Sequence, residues 1–406
     1  MTPRGGAVVI AGSLAFMIDL ADAPVIDTHL HGWRTSELLD APPSGFAQRV
    51  TMLGMCVQTS GGDPASYAEV LERATASTPL ALALLSRLGG QLGCEPTNDA
   101  VSAARAERLR ANPTGYLQEL WRDAGIEGLV VDEGFPLPII PPAELAREAG
   151  IAVHRVVRIE PWIAEERDGA IGYDELEDAL SARLEAAAAA GAVAFKSVIA
   201  YRTGLDITHP SAADARAAFT RWRADGFRET RAHAKPVRDR LLERTLEVAS
   251  ASGVPVHIHS GGGDPDSLVA HARPAGLFDL LKRHPQQPVL LIHAGWPWTD
   301  EAAFLASILP HVYLDLSIGI PWASLAIDRL IETALGVAPP AKVLYGSDEA
   351  SEPEVAWFSA HVAREALGRV LGTAVERRWL TLPQAAGIGG DVLAGNCRRL
   401  HGILAA

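Results

Sequence analysis

Residues 24–33 read PVIDTHLHGW, a short apolar run that carries one aspartate and two histidines. A run of this length, bounded by proline and glycine, predicts a buried β-strand. Side chains in a strand alternate between its two faces, so His29 and His31 share one face. Two histidines on one strand face either fill a polar layer or bind a metal ion, and this stretch alone supports both interpretations.

Seven similar apolar runs follow, and with the first they predict eight buried parallel strands. Most runs are separated by segments with helical periodicity; between residues 174 and 190, Leu176, Leu180 and Leu184 form an i, i+4 stripe that ends at Gly191. Eight strands alternating with helices are typical of a (β/α)8 TIM barrel. The predicted strands cover residues 24–32, 128–135, 151–160, 192–200, 254–262, 288–296, 311–319 and 342–350.

Two connections are far longer than the roughly 30 residues that a βα unit needs. Residues 35–127 and 203–253 are therefore predicted to be helical insertions on the side of the barrel where the strands end. Residues 353–406 are predicted to form a helical C-terminal tail, broken at Pro383 and at the glycines within 387–390. We expect all 406 residues to form one barrel domain, because no segment resembles a flexible linker or a repeat.

Composition places the chain among globular proteins and argues against several classes of partner. A hydrophobic fraction of 48% with 21% charged residues allows a large core. The net charge of −13 and the lack of a basic block argue against nucleic acid. No later run reaches the roughly 18 uncharged apolar residues of a membrane span. Three widely spaced cysteines suit a reducing compartment, so a cytoplasmic location is expected.

Residues 1–23, MTPRGGAVVIAGSLAFMIDLADA, share an arginine, an apolar run and a small-residue end with signal peptides. Asp19 and Asp22 lie where a signal peptide is normally uncharged. These two carboxylates favour the alternative, a short helix that leads into the first strand.

Other predicted strands end in residues that bind metals or transfer protons. Lys196 lies in the fourth apolar run, His259 in the fifth, His293 in the sixth and Asp348 in the eighth. Active sites of TIM barrels form at the C-terminal ends of the strands, so we expect these side chains to meet the two histidines of the first strand there. Imidazole and carboxylate ligands suit zinc, manganese or iron better than magnesium or calcium, and zinc is the expected ion.

This order of residues resembles the amidohydrolase superfamily of metal-dependent barrels. The segments FKSVIAYRTGLD (195–206), VHIHSGGGD (256–264) and VLYGSDEASEPE (343–354) are similar to its amidohydrolase-2 branch, especially to the domain that is fused to glutamine-synthetase-like domains. The resemblance extends from about Pro24 to Leu371.

The resemblance implies that one or two metal ions are bound by six residues, His29, His31, Lys196, His259, His293 and Asp348. With two ions, Lys196 would be carboxylated and bridge them. The alternatives are an unmodified Lys196 paired with Asp348 or with a substrate anion, and a single ion with His293 as an acid–base group. His257 lies on the same strand face as His259 but farther from the turn, so we expect a buried residue outside the ligand set.

For such a site the resemblance implies hydrolysis of an amide or related C–N bond by metal-activated water. Asp348 would accept the proton, with His293 and Lys196 as further catalytic residues. The alternative is non-oxidative decarboxylation of an aromatic or unsaturated acid. Decarboxylases of the same branch lack the lysine of the fourth strand, so Lys196 favours hydrolysis. A binding barrel without catalysis is a third interpretation, which the complete ligand set disfavours.

Three residues at strand ends are candidates for substrate binding. A guanidinium binds a carboxylate through two hydrogen bonds, so Arg202 and Arg158 are candidates to hold a carboxylate of the substrate. The resemblance to the domain fused to glutamine-synthetase-like domains implies that the substrate is a small, carboxylate-bearing amide. Trp296 follows the sixth strand and would line an aromatic pocket. The alternatives are structural ion pairs for the arginines and core packing for the tryptophan. Among assemblies, a homodimer is the commonest expectation.

Overall fold

The computed structural model describes residues 16–42, 45–57, 64–135 and 137–404, which form a barrel of parallel strands. Eight strands pair in chain order, from β1 to β8. Thr28 N donates to Tyr345 O at 3.1 Å and Asp348 N donates to His29 O at 2.8 Å, so the first strand meets the residues that follow the last one. The predicted (β/α)8 TIM barrel is confirmed. The strands are β1 (Val25–Leu30), β2 (Ile126–Asp132), β3 (Ala152–Arg158), β4 (Ala194–Ser197), β5 (Val256–His259), β6 (Val289–Ile292), β7 (Val312–Asp315) and β8 (Val343–Leu344).

The strands are shorter than the apolar runs that predicted them. β2 begins two residues before the predicted start and ends at Asp132, and β8 covers only Val343 and Leu344. At His293 and Asp348 the φ angles are 70° and 60°, so the backbone has left the extended conformation there. The predicted ends were wrong because a buried loop that follows a buried strand is as apolar as the strand itself.

The strands separate two apolar layers. Adjacent residues of β3 belong to different layers, Val157 to the one between sheet and helices and Val156 to the one inside the barrel, as alternation requires. Ala394 and Cys397 of the C-terminal segment pack against the interior layer. Buried polar side chains end several strands, with Asp132 at the end of β2 and His259 at the end of β5.

Twenty α-helices accompany the barrel strands in the described part of the chain. After β1 come α1 (Thr35–Asp40), α2 (Phe46–Arg49), α3 (Met52–Cys56), α4 (Ala68–Ala76), α5 (Pro79–Leu92), α6 (Asn98–Ala111) and α7 (Pro113–Asp123). The next connections contain α8 (Pro142–Ala149), α9 (Ile159–Gly169), α10 (Tyr173–Ala189), α11 (Ile199–Arg202), α12 (Ala212–Ala224) and α13 (Ala234–Ser252). The remainder are α14 (Phe278–Arg283), α15 (Thr299–Ile308), α16 (Gly319–Trp322), α17 (Ile327–Val337), α18 (Pro353–Glu376), α19 (Leu382–Gly390) and α20 (Asn396–His401).

The two long connections are helical, as predicted for the segments after the first and fourth strands. Within them, α7 contacts β2, and α13 contacts both β4 and β5. Each long connection therefore ends with a helix that packs on the barrel strands, as in an ordinary βα unit. The helices inserted before it are α1 to α6 in the first connection and α11 to α12 in the second.

The C-terminal tail is helical, and the break predicted at Pro383 corresponds to the non-helical residues 377–381 between α18 and α19, whereas the break predicted at Gly387, Gly389 and Gly390 was wrong. Pro383 lies in the first turn of α19, where the missing N–H has no helical partner to lose. A Cβ atom on Gly389 would lie 2.6 Å from Leu20, so this glycine allows the N-terminal segment to pack closely on α19. The helix continues through a π-turn, Asp391–Gly395, into α20.

The prediction of an N-terminal helix falls mostly on residues 1–15, which lie outside the described residues, and residues 16–20 are not helical. No helix in the described ranges combines the length and the apolar composition that crossing a membrane requires.

A buried glutamate links α13, the last helix of the connection after β4, to α14, which follows β5. Glu243 of α13 accepts from Nε and Nη2 of Arg283 at 3.0 and 2.8 Å, and it lies 2.8 Å from Nδ1 of His209. Burial raises the pKa of Glu243, but hydrogen bonds from His284, His209 and Arg283 outweigh burial and lower the pKa to about 2. The folded state therefore binds this proton less tightly than the unfolded chain does.

Glu243→Gln should lower the free energy of unfolding at pH 7 by about 2 kcal/mol, because Arg283 loses its charged acceptor. The depressed pKa stabilises the fold fully above the unfolded value near 4.5, and this contribution is lost as the pH falls toward 2. Urea unfolding of both proteins at several pH values should show a difference that narrows below pH 4.5. Glu247→Gln, at an exposed position of the same helix, is the control. A difference that does not change with pH would contradict this account.

Candidate metal centre

β1 and the turn after β8 bring three potential metal ligands together. Nε2 of His29 lies 3.1 Å and Nε2 of His31 lies 3.3 Å from Oδ1 of Asp348. The His29 side chain is fully buried, whereas those of His31 and Asp348 are 12% and 15% exposed. The cluster therefore opens to solvent on the side of His31 and Asp348.

The backbone of the turn after β8 is fixed by β1. Asp348 has a φ angle of 60°, a left-handed conformation that aspartate tolerates better than most residues do. Its N–H donates to His29 O at 2.8 Å, and His31 N donates to Glu349 O at 2.6 Å. The same hydrogen bonds that join the first and last strands thus place the carboxylate beside the two imidazoles.

Three charged side chains from β2, β3 and β4 also lie close to these imidazoles. Nζ of Lys196 is 3.2 Å from Nε2 of His29 and 3.9 Å from Oδ2 of Asp132. Nε and Nη2 of Arg158 donate to the Asp132 carboxylate at 3.1 and 2.6 Å, and Nη2 lies 3.4 Å from Nδ1 of His31. Burial raises the pKa of Asp132, but the charge of Arg158 outweighs burial and holds the pKa well below its usual range.

Asp132 was not singled out in the sequence, although it ends β2 just as Asp348 follows β8. Its position at a strand end was the only signal, and no spacing connected it to the histidines. The guanidinium of Arg158 is held by this carboxylate, which is the structural ion pair of the alternative interpretation.

Burial sets the protonation states of the central groups. Burial, reinforced by the nearby charge of Lys196, holds the pKa of His29 well below its usual range. Burial has the same effect on the pKa values of His259 and His293, so all three imidazoles are neutral at pH 7, the form that binds metal ions. Burial also lowers the pKa of Lys196 to about 8, although Asp132 opposes this change.

His259 and His293 face each other across the ends of β5 and β6. Nδ1 of His259 is 3.0 Å from Nε2 of His293, and Nε2 of His259 is 3.1 Å from Gly262 O. A carbonyl oxygen only accepts, so the hydrogen of neutral His259 is on Nε2 and its Nδ1 lone pair faces His293. Ser317, which sequence reasoning did not single out, holds Nδ1 of His293 at 2.9 Å through Oγ.

Three other residues considered in the sequence make contacts of their own or none. His257 is buried and its Nε2 is 2.8 Å from Nε2 of His401, in agreement with a position outside the ligand set. Arg202 ends α11, is half-buried, and has no ion pair or hydrogen bond within the described ranges. Trp296 packs against the main core, and its carbonyl oxygen accepts from Gly262 N at 2.7 Å. The substrate-binding roles of Arg202 and Trp296 stay predictions.

The donor atoms fit a divalent cation. Oδ1 of Asp348 is buried and has no hydrogen-bond partner in the part of the chain that is described, although two imidazole nitrogens lie within 3.3 Å of it. Two overlapping sets, His29 with His293 and Asp348, and His29 with His31 and Asp132, each place three ligand atoms within 4.8 Å of one another. Asp132 is already bound by Arg158, so Asp348 is the better carboxylate ligand. Besides His293, His31 is a candidate third ligand, because its Nε2 lies 3.3 Å from the same Asp348 oxygen. Neutral imidazoles with a carboxylate are the ligands of zinc and similar ions.

A barrel with histidines and aspartates gathered where its parallel strands end defines a class of metal-dependent barrel enzymes. Residues 148–382 match the sequence profile of the family described as Amidohydrolase, and the chain therefore belongs to the amidohydrolase-2 branch of that superfamily. The resemblance deduced from the motifs is confirmed.

Known relatives extend the comparison. Protein fluG of Emericella nidulans is 33% identical over 219 residues, which are 52% of this chain and 25% of that protein. The chain therefore spans about a quarter of the length of this relative.

Solved structures show the same fold. A protein assigned as a metal-dependent hydrolase from Lactobacillus casei has a TM-score of 0.80 at 23% identity, over 95% of this chain and 98% of that one. The uronate isomerase of Thermotoga maritima has a TM-score of 0.67 at 15% identity, over 94% and 95% of the two chains. Because these proteins are described with different reactions, the fold alone leaves the reaction of this chain open.

Proposed function

We propose that the protein is a metal-dependent hydrolase that cleaves an amide or related C–N bond in a small, carboxylate-bearing molecule. The convergence of His29 Nε2 and His31 Nε2 on Asp348 Oδ1, at 3.1 and 3.3 Å, carries this proposal. A catalytic metal site must leave room for substrate and water, whereas a structural site is closed. The exposure of His31 and Asp348 supports the catalytic alternative.

In this proposal His29, His31 and Asp348 hold a divalent cation, with zinc as the first choice. Lys196, His259 and His293 are the candidates for a second ion. A cation at this place supplies a Lewis acid for the substrate carbonyl and lowers the pKa of water.

The chain's own residues provide the proton transfers and the binding of substrate. The partly exposed carboxylate of Asp348 accepts a proton from the attacking water and returns it to the leaving nitrogen. The free guanidinium of Arg202 at the end of α11 supports binding of a substrate carboxylate. His293, neutral because it is buried, is the second acid–base group of the proposal.

We further propose that Lys196 is carboxylated. A pKa of about 8 leaves part of the amine uncharged at neutral pH, and the uncharged nitrogen is the nucleophile that attacks CO₂. The new N–C bond forms as one proton leaves the nitrogen. The ammonium group of Lys196 beside His29 is thereby replaced by an anionic carbamate, which can bind a metal ion. Unmodified Lys196 beside Asp132 remains the alternative, and the intact mass of the native protein distinguishes the two.

Removal of bound metal with a chelator should reduce amide hydrolysis to background, because no group of the chain by itself polarises the carbonyl as strongly. Zinc, manganese and iron should then be added back separately, with metal content measured for each preparation. Hydrolysis is recognised by one amine released per carboxylate and by incorporation of labelled water oxygen. Release of CO₂ without an amine would support decarboxylation instead. Full activity in metal-free protein would refute the proposal.

A further inference from the structure

Six rings form a continuous arc where the barrel strands end. In order they are Phe135, His31, His29, His293, His259 and Tyr201, with successive centroid distances of 5.6, 5.0, 5.4, 4.5 and 4.6 Å. The four inner rings are the histidines of the candidate metal centre. The two outer rings are not ligands, and they form the two ends of this chain of contacts.

The two outer rings differ in their polar contacts and in their exposure. The phenol oxygen of Tyr201 accepts a hydrogen bond from Asp264 N at 3.1 Å. Phe135 has only an apolar ring to offer, and 46% of the residue is exposed. Large apolar side chains are stabilised when they are covered, so this ring beside His31 is a surface suited to an apolar part of a ligand.

Phe135 is held in place by the residues that precede it. Asp132 is bound by Arg158, and Glu133 accepts from Nε and Nη2 of Arg155 at 2.6 and 2.7 Å. Gly134 lies so close to the Arg158 side chain that a Cβ atom would clash with it. Its N–H donates to Oδ1 of Asp132 at 3.1 Å. The ring therefore follows a turn that is held by ion pairs and a hydrogen bond, so its exposure does not result from a freely moving loop.

We infer that Phe135 is a specificity-determining residue that binds a planar apolar group of the substrate, most simply an aromatic ring next to the bond that is cleaved. The inference rests on the proposed function, because it takes the histidine cluster as the place where the scissile group binds. Aromatic groups are favoured over other apolar groups because they can also stack against or meet the edge of the phenyl ring.

Two metal-binding probes test the inference without requiring turnover. Acetohydroxamate and benzohydroxamate share a chelating head and differ in an aromatic ring. With zinc-loaded protein, calorimetry should give benzohydroxamate about tenfold tighter binding. Phe135→Ala should bring the two affinities together and leave that of acetohydroxamate within about twofold. Phe135→Tyr should keep the preference, since the ring is retained.

Leu137→Ala is the matched control. Leu137 is an exposed apolar residue of the same loop, but it has no aromatic ring, whereas the ring of Phe135 contacts His31. The Leu137→Ala variant should keep the wild-type preference. An unchanged preference in Phe135→Ala, or an equal loss in Leu137→Ala, would overturn the inference.

The same measurements separate this inference from the proposed function. If neither probe binds zinc-loaded wild type, both the metal centre and the inference fail. If both probes bind equally to wild type, only the inference fails. If the probes behave as expected but no amide is hydrolysed, the inference holds and the proposed reaction is wrong.

Discussion

Asp348→Asn should lower kcat for amide hydrolysis by about 10³-fold. Asp348 is the group on which both β1 imidazoles converge, and in the proposed mechanism it also takes the proton of the attacking water. Asparagine has the same shape but neither the charge nor the basicity of the carboxylate. It also tolerates the φ angle of 60° at this position, so the turn should keep its conformation.

Metal content distinguishes the two roles of Asp348. If the variant keeps its metal and loses kcat, the carboxylate acts mainly in proton transfer; if it loses metal, it acts mainly as a ligand. Asp300→Asn, an exposed position in the first turn of α15, is the matched control and should have normal turnover. Near-normal activity of Asp348→Asn with full metal content would remove Asp348 from the mechanism.

Arg105→Met should lower the free energy of unfolding by about 3 to 5 kcal/mol. Arg105 of α6 is buried between two carboxylates of the segment after β8: its Nε donates to Oε1 of Glu354 at 2.5 Å, and its Nη2 pairs with Glu352. Arg49 also pairs with Glu352, and Tyr116 donates to Glu354 at 2.8 Å. Methionine fills much of the volume but leaves the buried carboxylates short of one positive charge.

Arg108→Met, one turn farther along α6, is the matched control. Its partner is Glu119, and both side chains are about half exposed, so the change in stability should stay below about 0.5 kcal/mol. Thermal and denaturant unfolding of both variants give the comparison. Glu354→Gln combined with Arg105→Met should recover part of the loss, because one unpaired buried charge is removed. Equal effects of the two arginine substitutions would contradict the role assigned to burial.

This ion cluster also connects the long insertion to the candidate site. Glu352 and Glu354 follow Asp348 within six residues, and α6 belongs to the connection between β1 and β2. The insertion between β1 and β2 therefore anchors the segment that presents Asp348. A sequence pattern could not predict this, because each partner is an ordinary charged residue until the two segments are folded together.

The number and order of the barrel strands were predictable because each strand is a local apolar run with its own boundaries. Strand ends were predicted less well, since Asp348 and His293 lie in left-handed turns that look like a continuation of the strand in the sequence. The break near Pro383 was predictable because proline is favoured in the first turn of a helix, and the new helix α19 begins at Leu382.

The sequence by itself determined the barrel, the family, and the chemical types of the groups at the strand ends, because strand periodicity and residue identity are local properties. Only the tertiary structure decided that Asp132 holds Arg158, that Ser317 orients His293, and that Phe135 stands exposed beside His31. Those relationships join side chains from different strands and turns. They exist because the closing of the barrel brings distant parts of the chain within hydrogen-bonding distance.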